Sequence, residues 1–251
     1  MTIVLADEVA LLALIFARIG AAVMVLPIFG ESYVLSRARL ILALTLSLLL
    51  APLLAPTLPP VPSIDATFAG RIAVEVVHGL FLGSFVRLAV VALSVAGGAV
   101  AMQMGFAAAN FFNPAEAQQS SVTGNLFTVA GFAGLLAVDG HHMMLRGLVA
   151  SYEALPPTGG LQAADMAAAM ARGSADAVAL GLQMALPMTA AALVIYALMG
   201  MMNRLVPTLQ VIFVALPAQL LLGLGMLGLT VAGVVQLFVG FVFELNVQIG
   251  G

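Results

Sequence analysis

Residues 97–125 read GGAVAMQMGFAAANFFNPAEAQQSSVTGN and interrupt a strongly hydrophobic chain with a polar, almost uncharged stretch. Long apolar segments flank it on both sides, which places it at membrane depth. Backbone amides that face lipid without partners are costly, so such a stretch must be buried in protein or line an aqueous cavity. The pattern favours a conduit. The alternative is an ordinary apolar connection outside the membrane.

The composition is that of an integral membrane protein. Of the 251 residues, 63% are hydrophobic and only 8% are charged, whereas soluble proteins have about 25% charged residues. The apolar segments allow about six helical passes of about 20 residues each. We therefore predict an all-α membrane protein with several kinked or broken segments and a central plug-like loop, forming one membrane domain over residues 1–251. Asp7 and Glu8 stand where a signal peptide carries positive charge, so the first apolar segment is expected to be retained.

Several classes of site are excluded by composition. The chain has no cysteine, which rules out disulfides, zinc–thiolate sites and iron–sulfur clusters. All eight positive charges are scattered arginines, so nothing resembles a nucleic-acid-binding surface. No cofactor is expected.

The first apolar segment, residues 9–29, contains Arg18. A guanidinium is expensive in lipid, so Arg18 is expected to face a packed interior and to pair there. Pro27 and Gly30 are expected to end this helix. The second segment, residues 40–54, is expected to stop at Pro52 and Pro56.

The third segment, residues 68–104, is longer than one span needs. It predicts either one long tilted helix or two short ones that break at Gly97 and Gly98. Glu75 and His78 share a helical face at the i, i+3 spacing of di-iron bundles, but those sites need a second such pair and two more carboxylates. An ion pair with Arg71 is favoured over metal ligation.

After residues 126–138, the sequence DGHH at 139–142 ends an apolar segment. Adjacent histidines on a helix point about 100° apart and do not easily share a metal ion. A polar cluster at a helix end is therefore favoured, with a proton relay as the alternative.

The C-terminal half predicts a loop with a short amphipathic helix at residues 156–174 and then a helical hairpin over 175–245, with a polar turn at 201–210. Mid-span prolines and closely spaced glycines indicate packing against other chains. These residues are Pro187, Pro217, Gly223, Gly225 and Gly228.

Six motifs occur in an order and spacing that resemble the FliR family of flagellar export-gate proteins, whose counterparts serve in virulence type III secretion. They are RIGAAVMVLPIFG at 18–30, a turn with Arg37 and Arg39, GGAVAMQMGFAAANFFNP at 97–114, DGHH at 139–142, ALP at 185–187, and NRLVP at 203–207 followed by Pro217.

The resemblance implies a structural and gating subunit with no enzymatic activity. It implies that FliP and FliQ assemble with the chain in the bacterial inner membrane, at the flagellar basal body, into a channel for unfolded flagellar subunits. Other export and basal-body proteins, the unfolded cargo and membrane lipid are the further partners it implies, and nucleic acid is not one of them.

The resemblance also assigns residues. It implies that residues 106–122, here called the gate loop, plug the channel through Phe106, Asn110, Phe111, Phe112, Asn113, Pro114, Glu116, Gln118, Gln119 and Val122. Asn113 stands where the family commonly has aspartate before the proline, and Phe112 stands where a smaller aliphatic residue is usual. Structural or subunit-interface roles are expected for Arg18, Pro27, Gly30, Asp139, Gly140, His141, Pro187, Arg204, Pro207 and Pro217.

Two other functional classes compete with this reading. A secondary transporter for a small solute or ion would show two related halves with broken helices at matching positions, and the sequence has no convincing internal repeat. An intramembrane enzyme needs a nucleophile with a base or a complete metal set. Neither Ser151 with His142 nor Glu75 with His78 supplies one.

Overall fold

The computed structural model describes the backbone of residues 2–55, 66–105, 122–157, 160–205 and 211–250 and the side chains of 8–55, 67–105, 122–157, 160–205 and 217–248. Within these ranges every regular element is an α-helix. The helices are α1 (Thr2–Val25), α2 (Ser36–Leu54), α3 (Ala66–Gln103), α4 (Val122–Ala137), α5 (Gly140–Ala154), α6 (Ala163–Leu205) and α7 (Val211–Gly250). The predicted all-α membrane architecture is confirmed.

The first two helices end close to where the sequence predicted. Helix α1 stops at Val25, before Pro27, and the next residue, Ile28, is left-handed with a φ of 71°. Helix α2 ends at Leu54 as predicted, but Pro52 lies inside it rather than after it. Proline has no backbone N–H and therefore cannot make the hydrogen bond to the carbonyl four residues earlier. Close to the end of a helix, few further backbone hydrogen bonds follow that this loss could disturb.

The break that the sequence allowed at Gly97 and Gly98 is absent. Helix α3 runs without interruption over Ala66–Gln103, so of the two alternatives the long helix is correct. Glycine permits a kink but does not force one.

The predicted separation of residues 156–174 from the following span is wrong. A single 43-residue helix, α6, begins at Ala163 and continues to Leu205 with Pro187 inside it. The run of alanine and methionine before residue 175 has strong helix propensity and needs no break. The same helix includes Asn203 and Arg204, which the sequence placed in a turn.

Among the helices that the structure describes, five are long and apolar enough to span a membrane, namely α1, α2, α3, α6 and α7. The shorter α4 and α5 pass the same test together and are bent by 77° at their break, which gives up to six spans. The broken segment expected from the sequence is thus the α4–α5 pair.

The chain divides into two compact units. The first comprises Met1–Leu88, Asp139–Ser174 and Val242–Gly251, and the second comprises Ala89–Val138 and Ala175–Phe241. The core of the first unit packs α1 against α2 and α5 through apolar side chains, including Ile15, Ile19, Val23, Ala43, Leu54 and Tyr152. The prediction of a single membrane domain stays a prediction.

Close helix packing in the second unit depends on glycines. A Cβ on Gly131 would lie 2.8 Å from Leu93 Cδ1, and a Cβ on Gly181 would lie 2.7 Å from the carbonyl oxygen of Ala92. The rings of Phe132 and Phe238 fill the space beside them, with centroids 6.5 Å apart. Small residues let apolar helices approach each other in this way.

Candidate functional site

A buried ion pair joins α1 to α3 in the first unit. Arg18 is fully buried, and its Nε lies 2.5 Å from Glu75 Oε2 while its Nη2 donates to Glu75 Oε1 at 3.1 Å. Glu75 is 1% exposed. Two parallel N–H···O bonds between a guanidinium and a carboxylate form the strong fork geometry that arginine favours.

The remaining donors of Arg18 reach α5 and its C-terminal end. Nη1 donates to the carbonyl oxygen of Ser151 at 3.1 Å, and Nη2 donates to that of Leu155 at 2.8 Å. His78 Nδ1 lies 3.4 Å from Nη2, and the guanidinium carbon sits 4.1 Å from the ring centroid of Tyr152. The carboxylate of Glu75, the two carbonyl oxygens and the ring of Tyr152 together replace the water that would solvate the guanidinium at a protein surface.

This geometry corrects the predicted partner of Glu75. The carboxylate pairs with Arg18 from another helix rather than with Arg71 one turn away on α3. His78 faces the same guanidinium, and no second Glu-x-x-His unit accompanies this pair in the described ranges. Ser151 donates its own hydroxyl to the Leu148 carbonyl at 2.7 Å. The cluster is therefore built to hold helices together rather than to activate a nucleophile.

The turn after α1 is held by two arginines. Arg39 donates to the carbonyl oxygens of Glu31 and Val34 at 2.9 and 2.8 Å. Arg87 on α3 donates to the carbonyl of Val25 at 3.1 Å, at the open end of α1. Gly30 is required there, because a Cβ would lie 2.6 Å from the carbonyl oxygen of Met24.

Helix α3 ends in a partly buried polar cluster of the second unit, directly before the gate loop. The amide of Gln103 donates to Thr189 Oγ1 on α6 at 2.6 Å. The side-chain amide of Gln219 on α7 donates to the carbonyl of Gln103 and, at 3.2 Å, to the hydroxyl of Tyr196. Gln219 is 5% exposed. The bond from Gln219 satisfies the backbone carbonyl of Gln103, one of the groups that a helix C-terminus leaves without a partner in the helix. We call this cluster the first foot of the gate loop.

Helix α4 begins at a second contact, which we call the second foot. The hydroxyl of buried Thr123 donates to the carbonyl oxygen of Gly97 at 2.6 Å. A Cβ on Gly97 would overlap the backbone of Gly124. Gly97, which the sequence interpreted as part of a possible break, is therefore where α3 and α4 touch, because only glycine allows two backbones to come so close.

The gate loop itself lies outside the described residues except at its end. Of the ten predicted gate residues, only Val122 is described, and its side chain is 78% exposed at the start of α4. The other nine, from Phe106 to Gln119, and the predicted structural residue Pro207 fall in ranges that the structure does not describe.

The DGHH motif comprises Asp139, which directly precedes α5, and the first three residues of α5. Asp139 has a φ of 55°, and Gly140 begins α5. Asp139 Oδ1 lies 3.5 Å from His142 Nδ1, and the rings of His141 and His142 have centroids 4.0 Å apart. The expected polar cluster is present, but the two histidine side chains do not diverge as helical spacing suggested.

A family model described as "Bacterial export proteins, family 1" matches residues 9–245. Nearly the whole described chain lies within that match. The chain belongs to the FliR family of bacterial export proteins.

Relatives named "Flagellar biosynthetic protein FliR" support this assignment over most of their length. The protein from Caulobacter vibrioides is 34% identical over 233 residues, which cover 93% of each chain. The protein from Pectobacterium carotovorum is 30% identical over 85% of this chain and 81% of its own, and that from Bacillus subtilis is 27% identical over 94% and 91%. The resemblance read from the six motifs is confirmed.

The remaining residues for which the resemblance implied a structural role differ in their burial and in their position in the helices. Pro187 and Pro217 lie inside α6 and α7. Arg204 is exposed and forms no ion pair with any residue that the structure describes, whereas Arg18 is buried. The roles of these residues at subunit interfaces in this FliR-family protein stay predictions.

Sequence reasoning missed the residues of the two feet, namely Gln103, Thr123, Thr189, Tyr196 and Gln219. A signal was present, since an amide inside an apolar helix must find a partner when it is buried. The partners come from helices distant in the sequence, so the pairing of Gln103 with α6 and α7 required the fold.

Proposed function

We propose that this chain is a structural and gating subunit of the flagellar type III export gate. In this proposal it assembles with FliP and FliQ in the inner membrane, at the flagellar basal body, and its gate loop closes the channel for unfolded flagellar subunits. Membership of the FliR family and the name shared by the relatives support the export role. The tethering of the gate loop at both ends is the observation that carries the gating role.

The two feet fix the ends of a 16-residue segment, residues 106–121, onto one unit. The first foot ties the end of α3 to α6 and α7, and the second ties the start of α4 back to α3. An ordinary connection needs no network of side-chain amides at its base. A segment that must return to the same closed position after each passage of cargo does need fixed ends, because anchoring limits the conformations it samples.

The sequence of the gate loop suits a stopper. Phe106, Phe111 and Phe112 combine bulk with stiffness, and a hydrophobic constriction closes a pore by excluding water. Ser120, Ser121 and the sparse charge leave few strong contacts to break when cargo passes.

The outer surface of the chain supports assembly with other membrane proteins. In α2 only 17% of the spanning residues are buried, and in α7 only 22%, whereas 50% are buried in α3. Helix α2 exposes a row of large aliphatic side chains, Leu40, Ile41, Leu44, Leu48, Leu49 and Leu53. Partner helices and lipid are the surroundings that cover such surfaces.

Removal of the stopper tests the gating proposal directly. Deleting Asn110–Gln119 is expected to raise the permeability of the membrane to small ions while the complex still assembles, because both feet remain. Replacing the same residues with a Gly-Ser stretch of equal length should give a similar leak, since the aromatic bulk is lost and the chain length is kept. Ion flux into proteoliposomes that contain the purified complex measures both.

Phe111→Ala with Phe112→Ala should leak more weakly, and Phe243→Ala, a partly exposed aromatic on α7, serves as the matched control. Flux at the wild-type level in an intact deletion complex would show that the loop is a passive connection.

Purification in mild detergent separates the export gate from a secondary transporter. The export gate brings two further small hydrophobic proteins with it, whereas a transporter remains stable by itself.

A further inference from the structure

We propose that Asp139, His141 and His142 form a binding site for a divalent transition metal ion such as Zn²⁺. Each of the three residues offers one ligand atom, and these atoms all lie within 4.8 Å of one another. The proposal rests on this cluster alone and is independent of the proposed gate.

The distances require only small side-chain movements. Ligand atoms about 2.0–2.2 Å from a tetrahedral zinc ion are about 3.3 Å from one another. Asp139 Oδ1 and His142 Nδ1 already lie 3.5 Å apart. Both side chains are largely exposed, so rotation about their side-chain bonds can close the remaining gaps without moving the backbone.

The backbone explains why two adjacent histidines converge here. Asp139 adopts the left-handed conformation directly before α5, so it reverses the chain and brings its carboxylate over the first turn of the helix. Aspartate at a helix N-terminus normally accepts a bond from a backbone amide, yet Asp139 makes no such capping bond. Its carboxylate is turned toward His142 instead.

A second observation concerns His141. Its Nδ1 atom is shielded from solvent and has no hydrogen-bond partner among the described residues. A buried polar atom without a partner is destabilising. A bound ion at this position, between the two imidazole rings and the carboxylate, would satisfy it.

The donor set selects the class of ion. Two imidazole nitrogens and one carboxylate oxygen suit zinc, cobalt or nickel, whereas calcium and magnesium prefer oxygen ligands. Three protein ligands leave a coordination position open for water. An ion held here would bond Asp139 to the first turn of α5.

Metal binding by the purified complex tests the site. The complex is prepared with an affinity tag that contains no histidine, stripped with a chelator and titrated with Co²⁺, whose visible absorption reports nitrogen coordination. We expect one ion per copy of this chain that Asp139→Asn, His141→Ala and His142→Ala each weaken by about 100-fold or more, because even the loss of an outer partner of a ligand costs about 10- to 100-fold. Asparagine keeps the left-handed backbone accessible.

Glu153→Gln is the matched control, since it removes an exposed carboxylate from the same helix and should leave Co²⁺ binding unchanged. Zn²⁺ should raise the thermal stability of the wild-type complex and of this control but not that of the three variants. Equal Co²⁺ binding by the wild type and His142→Ala, in complexes of equal assembly, would overturn the proposal.

Discussion

At the scale of single residues, Arg18 connects three helices of the first unit through one guanidinium. Helix α1 supplies the charge, α3 supplies Glu75, and α5 supplies the carbonyl of Ser151. Removing two opposite charges from water is costly, and only a well-formed pair with further hydrogen bonds repays that cost. The loss of either partner therefore leaves the other as an uncompensated buried charge.

Arg18→Ala is expected to destabilise the first unit by about 3–5 kcal/mol, the usual effect of breaking a buried ion pair. Arg18→Lys should also fail to assemble, because an ammonium group cannot form the fork and reach the two carbonyls at once. The measurement is the amount of complex recovered from detergent and its thermal stability.

The double variant Arg18→Met with Glu75→Gln should recover part of this loss, since neither charge is then left unpaired. Arg37→Ala, at an exposed arginine, is the control for the loss of a positive charge. Normal assembly of Arg18→Ala with loss of export alone would contradict a structural role.

Gln219→Leu is expected to weaken the first foot, because the carbonyl of Gln103 and the hydroxyl of Tyr196 both lose their donor. If that foot positions the gate loop, ion flux through the purified complex should rise, though less than after deletion of the loop. Gln183→Leu removes an exposed amide from α6 and should leave flux unchanged. Ion flux at the wild-type level in the Gln219→Leu complex would show that the first foot has no part in gating.

At the scale of elements, the length of the apolar segments correctly predicted that helices are present. It did not predict which segments continue as one unbroken helix. Helix α1 ends before Pro27 and α2 ends at Leu54, because proline and polar residues mark those ends in the sequence. The sequence around Gly97 does not distinguish a glycine at a hinge from a glycine at a helix contact. Only the partner that it meets, Gly124, shows that it is a contact point in a straight helix.

The same limit applied to the candidate sites. The cost of a charge in lipid predicted that Arg18 must be paired. That Glu75 pairs with Arg18 and not with Arg71 depended on how α1 and α3 cross. At the DGHH motif, ideal helical geometry predicted diverging histidines. The left-handed residue Asp139, which the sequence does not mark, places the side chains together.

The pair Gly97 and Gly98 provides an internal comparison of two helical glycines. Gly97→Ala is expected to push α4 away from α3 and to lower the thermal stability of the complex, because the new methyl group overlaps backbone that has no freedom to yield. Gly98→Ala should be neutral or stabilising by about 0.5–1 kcal/mol, since nothing lies within 4 Å of the added carbon and alanine favours a helix. Equal stability of the two variants would show that α3 and α4 do not pack as described.

At the scale of the whole molecule, the described part of the chain exposes many large apolar side chains on its long helices. Gly223, Gly225 and Gly228 of α7 differ in what surrounds them. A Cβ on Gly223 would lie 2.6 Å from Met104 Cγ, so this glycine serves the internal packing of the second unit. Gly225 and Gly228 have nothing within 4 Å and are open to a partner helix.

The chain expressed alone is therefore expected to aggregate or to be degraded, and co-expression with its partners should rescue it. Gly228→Leu should reduce recovery of the complex because it fills a space that a partner helix would use. Gly233→Leu, at another open glycine of α7, tests whether that face is also covered. A folded, monodisperse monomer in detergent would contradict the requirement for partners.

The two feet also set a limit on reach. Residues 106–121 begin and end at fixed points, so the middle of the segment cannot lie farther than about 30 Å from either one, the length of about nine fully extended residues. Any constriction that Phe111 or Phe112 closes must lie inside that radius. Because the chain has no cysteine of its own, a single cysteine introduced at position 112 can be crosslinked specifically to residues near it. The residues to which it crosslinks in partner subunits would outline the pore wall from the inside.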